Sequence, residues 1–481
     1  MHGPEAPVGS NSFSGTGIPL ADAALAVETP KLARSLRTRH IAMISIGGII
    51  GAGLFVNSIN AIAAIGPAVI VSYILTGLIV LFVMRMLGEM AMAYPDTGAF
   101  TEFPRLAMGN LAGFTSGWLY WYFWVIVVAF EAIAGASIIK PWLPDIPTWV
   151  TGLVLTVLLT ASNLLSTRNF GEFEFWFSSI KVAAIIAFIV IALSYALGVN
   201  PTGGMTFSNW TNDGGFAPMG WLPVVAGVTS LIFTLVGAEI ATVAAAEAHE
   251  GEKTIANLTT VLIFRILLFY VVSIALIVAV VPWREIAEQA AVQRMSPFTM
   301  ALDKVGIPGA GLAMDVIVLV AVLSCLNSGI YVASRIMFTL AGRGDAPRWI
   351  VQVDKRGVPS RAILIGAAIA LAAVALEAFF PKDLFGFLIS ASGALMIFVY
   401  MPVVISHLIL RPKTPPEQLK LKTWLYPWSG YIVLAAMAAV LIAMSLQPGS
   451  RYELIASTTC LVVVVIAYFV FRKRHRTISK R

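Results

Sequence analysis

Charge is what this chain has least of. Only 12% of its 481 residues are Asp, Glu, Lys or Arg, about half the share of an ordinary soluble domain. With 58% hydrophobic residues and a mean hydropathy of +0.86, that scarcity excludes a soluble enzyme, a disordered chain and a nucleic-acid module. Cysteine is rarer still. Cys325 and Cys460 lie in apolar runs and make neither a disulfide framework nor a metal site. The five histidines, His2, His40, His249, His407 and His475, fall at or beyond the edges of the apolar runs. No Ser/His/Asp set and no metal spacing forms, and no phosphate loop ends in Lys-Ser/Thr. An enzyme is disfavoured, and no cofactor or metal is implied. The N-terminus lacks the apolar region and small-residue cleavage site of a signal peptide.

Apolar runs long enough to cross a bilayer fill most of the chain. The pattern predicts about twelve spans: Ile41–Ile65, Val69–Met92, Leu111–Ile139, Trp149–Leu165, Phe175–Leu197, Trp221–Ala246, Leu258–Val281, Ala310–Leu340, Ala362–Phe380, Leu384–Leu410, Trp424–Leu446 and Leu454–Phe471. An even number puts both termini on one side. Of the 32 Lys and Arg, 23 then fall on that side, 6 on the other, and 3 (Lys181, Arg265, Arg335) in or near spans. Positive residues favour the cytoplasm, so both termini are expected there. Basic Arg472–Arg476 reads as a stop-transfer anchor, with anionic lipid binding as the alternative. Connection Pro282–Gly309 has polar helical character and is expected to lie at the interface. Trp118, Trp149, Trp221, Trp283, Trp424 and Trp428 read as an interfacial belt.

Two spans contain breaks. The first holds Ile46-Gly47-Gly48-Ile49-Ile50-Gly51-Ala52-Gly53, and the sixth holds Phe233-Thr234-Leu235-Val236-Gly237-Ala238-Glu239. Each mid-helix glycine costs roughly 1 kcal/mol relative to alanine. Close packing through small residues would explain the glycines alone. The pairing in spans one and six is more informative, because inverted-repeat transporters break their helices there. Second halves starting near Gly53 and after Gly237 would aim two helix N-termini at a midplane cavity. Free N–H groups and the helix dipole suit a carboxylate there.

At this point the motifs resemble bacterial amino-acid permeases of the amino acid–polyamine–organocation superfamily, over about Leu32 to Arg474. The resemblance lies in Arg39-His40-Ile41 leading into Ile46–Phe55, in Met84-Arg85-Met86-Leu87-Gly88-Glu89-Met90, in Gly171-Glu172-Phe173-Glu174-Phe175-Trp176, and in Ser324-Cys325-Leu326-Asn327-Ser328 with Ala333-Ser334-Arg335. Tyr94-Pro95-Asp96-Thr97-Gly98, Ser162-Asn163-Leu164-Leu165-Ser166, Ala244-Ala245-Ala246-Glu247 and Arg343-Gly344-Asp345-Ala346-Pro347 are similar to the 4-aminobutyrate (GABA) permeases. The resemblance implies an all-α polytopic membrane protein, a five-plus-five inverted repeat with two added C-terminal helices. It implies proton-coupled secondary uptake in a bacterial cytoplasmic membrane. The organisation is then a disordered tail (1–30), a transmembrane permease domain (31–471) and a basic tail (472–481).

Carried over, the substrate carboxylate would lie against the backbone of Ile50, Gly51, Ala52 and Gly53. An unwound segment from Phe233 through Thr234 and Val236 to Gly237 would supply carbonyls and walls. Relatives often carry a hydroxyl residue where this chain has Ala52, so the carboxylate would rest on backbone N–H groups. Phe233 reads as an occluding lid or as a packed core residue.

Charge within the membrane costs at least about 2.5 kcal/mol, which makes each such residue a functional candidate. Glu239 reads as a gate or proton carrier, or as a brace for broken helix one. Lys181 stands where some proton-coupled relatives replace a sodium ion by a lysine; the plain alternative is a snorkelling side chain. Glu131 is a candidate acceptor for the substrate amine, or a structural ion pair. Asn327 and Ser328 face helix one in the family arrangement, near Lys181, with a polar helix–helix contact as the alternative for Asn327. Arg265 and Asp315 read as network residues. Arg85, Glu89, Glu172, Glu174, Glu247 and Arg335 read as an inner latch or as solvated loop charge. The partners are a small amino-acid substrate, protons and the bilayer, with no nucleic acid and an open oligomeric state. An α-amino acid substrate (proline, alanine, glycine or an aromatic one) is the alternative, and a non-transporting amino-acid sensor is a third reading.

Overall fold

The computed structural model describes residues 43, 49–94, 100–165, 167–199, 204, 206–240, 268–292, 296–380, 388, 392 and 394–478. The expected tail at 1–30, most of the glycine run before Ile49, and Glu247 and Arg265 lie outside them. The chain is all-α, as lipid demands: each N–H and C=O within hydrocarbon must be satisfied inside its own segment. Among the described residues nine helices are long and apolar enough to cross a membrane, or ten if one bent pair counts as a span.

In chain order the helices are α1 (Ala52–Phe55), α2 (Ser58–Ile65), α3 (Val69–Ala93), α4 (Glu102–Met108), α5 (Asn110–Ile139), α6 (Thr148–Leu165) and α7 (Thr167–Ala196). They continue with α8 (Trp221–Ala226), α9 (Val228–Leu235), α10 (Leu268–Val280), α11 (Trp283–Val292) and α12 (Pro297–Val305). The last five are α13 (Ala310–Gly342), α14 (Ser360–Ala375), α15 (Leu395–Leu410), α16 (Trp428–Leu446) and α17 (Pro448–Ile478).

Helices α5 and α13 form the centre. Their apolar windows are 78% and 72% buried against 11% for α17, which therefore stands at the periphery. The two pack along each other; α1 packs on α13, and α9 packs on α1 and α3.

Segment 282–309, expected to be helical, holds two helices, Trp283–Val292 and Pro297–Val305. It bends by 99° from α10 into α11, which packs on α2, while α12 packs inward on α7 and α13. Phe298 explains the burial: its ring lies 4.8 Å from Phe55 and 4.7 Å from Phe188. Ser296 caps α12 by accepting from the Phe298 N–H at 3.3 Å, and its hydroxyl donates to the Phe55 carbonyl at 2.5 Å. The pair covers one end of the bundle. Helix α4, at the opposite end, has no counterpart among the predicted spans, being only 7 residues long.

Candidate substrate site

The first break falls at Ile50–Gly51. Gly51 is extended (φ −135°, ψ −153°) and α1 starts at Ala52, one residue before the expected start. The second break is shorter than expected. Phe233 and Thr234 remain inside α9, because helical bonding runs on through the Val236 N–H to the Ile232 carbonyl at 3.0 Å. Only then does the chain unwind, with Val236 extended and Gly237 at φ +120°, a region that suits glycine. The half-helix expected beyond it falls largely on residues 241–267, outside the described residues.

The two broken segments touch. A Cβ on Gly53 would come within 2.9 Å of the Thr234 Cα, and one on Gly51 within 2.6 Å of Glu131 Oε1 and 2.7 Å of the Cys325 Cβ. These glycines serve close approach, and a larger side chain would push α9, α5 or α13 away. A narrow cavity lies between the breaks, lined by Ile49, Gly53, Glu131, Phe233, Thr234 and Val236, with Phe123, Trp124, Val127 and Cys325 on its remaining walls. Phe233 packs edge-on against Phe123 and Phe130 at 5.6 and 5.1 Å.

Glu131 is fully buried, and both its oxygens lie 3.1 Å from the Ala52 N–H. Its carboxylate therefore sits on the N-terminus of α1. The sequence readings, an amine acceptor or a structural ion pair, did not include this contact. The reason is local: α5 carries the carboxylate to the orphan N–H that the Gly51 break exposes.

Glu239 is equally buried and fully engaged. Tyr120 donates to Oε1 at 2.9 Å, Tyr400 donates to Oε2 at 3.1 Å, and the Gly237 N–H lies 3.2 Å from both oxygens. Glu239 thus ties the second break to α5 and α15. Lys181 is wholly buried rather than snorkelling, and the carboxylates that act on it are Glu174 and Glu131. Glu174 accepts from the Ser324 hydroxyl. Asn327 turns its amide oxygen to α6, accepting from Asn163 at 2.8 Å and Ser162 at 3.1 Å. It is a helix–helix contact, while Ser328 is buried beside Glu174. Asp315 accepts from Thr299 at 2.7 Å and joins α12 to α13.

Three tyrosines were not picked out from the sequence: Tyr120, Tyr400 and Tyr270. The Tyr270 hydroxyl lies 2.9 Å from the Ile49 carbonyl and 3.1 Å from the Thr234 carbonyl, so α10 bridges both broken helices. The available signal was a tyrosine deep inside a span, away from the interfacial belt.

Of the expected latch residues, Glu247 lies outside the described residues, and Glu89, Glu174 and Arg335 are buried, so these three are not loop charge. Glu89 Oε2 accepts from Arg411 at 3.2 Å and from the Thr423 N–H at 2.5 Å, with His407 Nε2 at 3.2 Å. Arg85 donates to the Lys422 carbonyl at 2.8 Å, and Arg335 lies 3.9 Å over the Tyr331 ring. A further set of charges joins elements here: Arg105 pairs with Glu102 at 3.0 Å and with Asp345, while Arg343 pairs with Glu102 at 3.2 Å. Burial opposes the Arg105 charge, but the two carboxylates outweigh it and hold the guanidinium above its ordinary pKa.

A multi-span helical protein with two broken segments meeting over a central cavity has the build of a secondary transporter. Residues 40–480 match the amino acid permease family. The chain is 45% identical over 447 residues to the gamma-aminobutyric acid permease of Bacillus subtilis, covering 92% of this chain and 94% of that one. It is 41% identical over 439 residues to the gamma-aminobutyric acid permease of Escherichia coli (91% and 93% covered). It is 35% identical over 452 residues to the aromatic amino acid transport protein of Escherichia coli (93% and 98% covered). The chain belongs to the amino acid permease family, with that family's five-plus-five repeat and two further helices, and is a transport protein rather than an enzyme.

Proposed function

We propose that the chain is a proton-coupled importer of 4-aminobutyrate, or a closely related amino acid, across a bacterial cytoplasmic membrane, with both termini inside. The observation that carries the coupling is the Glu131 carboxylate on the Ala52 N–H. A substrate carboxylate bound at Ile50–Gly53 needs that same donor. Two ionised carboxylates do not share one small apolar site, so one of them takes a proton. Protonation of Glu131 from outside therefore clears the cradle for substrate. Lys181, acted on by both Glu131 and Glu174, passes the charge change toward the other end. Phe233 closes over the bound molecule. Release of Glu239 from Tyr120 and Tyr400 frees the second break to move as one repeat rocks against the other.

The names of the first two relatives support 4-aminobutyrate. The aromatic transporter at 35% identity supports the alternative of an α-amino acid. Uptake into proteoliposomes under an inward proton gradient, without sodium, tests both. Accumulation of 4-aminobutyrate that a protonophore abolishes and α-amino acids compete with poorly is the expected result. Accumulation of an α-amino acid alone would replace the substrate, and silence for every amino acid in folded protein would turn the reading to a sensor.

A further inference from the structure

Residues 411–427 join α15 to α16. Pro412, Pro415, Pro416 and Pro427 stiffen the stretch, and two short turns, Arg411–Lys413 and Pro416–Gln418, shape its first half. With so many fixed φ angles it moves as a piece rather than melting. It lies along the last turns of α3. There Phe82, Arg85 and Glu89 share one helix face, and Tyr94 follows at the C-terminus.

Each of these four grips it. Arg85 donates to the Lys422 carbonyl from Nε at 3.1 Å and from Nη2 at 2.8 Å, and its guanidinium lies 4.7 Å over the Trp424 ring. Phe82 meets the same ring edge-on at 6.4 Å. The Tyr94 and Thr414 hydroxyls lie 2.8 Å apart. Glu89 is the buried pin, since its Oε2 takes the Thr423 N–H, Arg411 and the His407 ring together. Arg411 in turn donates to the Thr423 carbonyl at 3.2 Å.

Two features mark a joint that opens. The first is what it joins. Helix α3 packs on α9, beside the second break, whereas α15 packs on the central α5. Helix α3 also touches α15 and α16 directly, but packed helices can shear by small slides. Hydrogen bonds of fixed length and angle cannot follow a slide, so the pins must break if α3 is to move with the broken helices. The second is what it leaves unmade. Glu89 Oε1 and His407 Nδ1 are buried without a hydrogen-bond partner among the described residues. Buried polar groups are otherwise paired almost throughout a protein, and two left bare lower the cost of parting.

We propose that residues 411–424 are a strap that fastens α3 to α15 at this end of the bundle, pinned by Glu89, and that unfastening it is a step in opening the cavity there. The inference rests on the alternating movement proposed above.

The first test needs no substrate. Arg85→Ala removes a partly exposed grip on Lys422 and Trp424 and leaves Glu89 in place. Native Cys325 lines the cavity. Its alkylation by a membrane-impermeant maleimide is expected to speed by about fivefold or more from the strap's side, the order of one hydrogen bond, and to stay unchanged from the other side. An unchanged rate from the strap's side overturns the inference. So does an equal rise from both sides, which marks general loosening. The second test ties the strap down. Arg85→Cys with Lys422→Cys, joined by a short bis-methanethiosulfonate, is expected to lose uptake of labelled 4-aminobutyrate and to regain it on reduction. Either single variant, treated alike, should behave as treated wild type. Uptake that continues with the strap tied overturns the inference. Silence toward 4-aminobutyrate before any treatment would overturn the substrate named above, and the alkylation rates then decide the strap alone.

Discussion

Gly53 and Gly51 do unequal work at the cradle. A Cβ at position 53 meets backbone, the Thr234 Cα at 2.9 Å, whereas one at position 51 meets the Glu131 and Cys325 side chains. Side chains yield more readily than backbone, so Gly53→Leu is expected to abolish uptake in correctly inserted protein. Gly51→Ala should reduce uptake about tenfold or more, about 1.4 kcal/mol at the site, chiefly by displacing Glu131. Normal initial rates in either variant would contradict this geometry. Glu131→Gln keeps a hydrogen-bond acceptor but removes the titrating group. It should retain exchange of labelled for unlabelled substrate and lose accumulation driven by a proton gradient, measured on the same vesicles. At this scale the sequence showed the glycines and the buried charges, because Gly in an apolar run and charge in a membrane both stand out. It did not show Tyr270, Tyr120 or Tyr400. A single tyrosine carries no period, and its importance comes only from the carbonyl or carboxylate the fold brings to it.

At the scale of elements, spans with both ends in polar sequence were legible within a few residues, as Thr148–Leu165 and Val69–Ala93 illustrate. Breaks were less so. The second starts three residues later than its composition suggested, since α9 keeps its hydrogen bonds through Leu235 and the chain turns only at Val236 and Gly237. The short helix α4 was missed, and the packing of α12 was not legible, because burial of Phe298 against Phe55 depends on distant partners. Glu239 is the element-level joint, held by α5 and α15 together. Tyr400→Phe leaves one buried carboxylate oxygen short of its donor, which costs roughly 1–3 kcal/mol. It should lower the thermal unfolding midpoint in detergent, and Tyr120→Phe should do the same. If both midpoints stay where they are, the joint does not hold the resting state.

For the whole molecule, composition alone excluded soluble folds, and charge asymmetry suggested an orientation. One cluster of charges at an end of the bundle was not picked out. Its charges are spaced far apart in sequence, Glu102 and Arg105 before α5 and Arg343 and Asp345 after α13. Nothing local announces that they meet. Arg105→Ala removes the bridge between α4 and the segment after α13. It should raise labelling of a cysteine placed in the cavity from the side bearing Arg105, with little change from the other side. Equal labelling in both proteins would show that this cluster does not keep that end shut.

The carboxylate on α1 also bears on the return journey of an empty carrier. A helix end stripped of its guest would face a dry cavity with an uncompensated dipole, and turning over in that condition would be slow. Here the protein supplies its own guest. On the cycle proposed above, Glu131 would resume its seat at Ala52 when substrate leaves, and the empty carrier would cross its barrier as fully capped as the loaded one. A transporter built this way has no need of outgoing cargo to reset itself, and so is suited to filling a cell rather than to trading one amino acid for another.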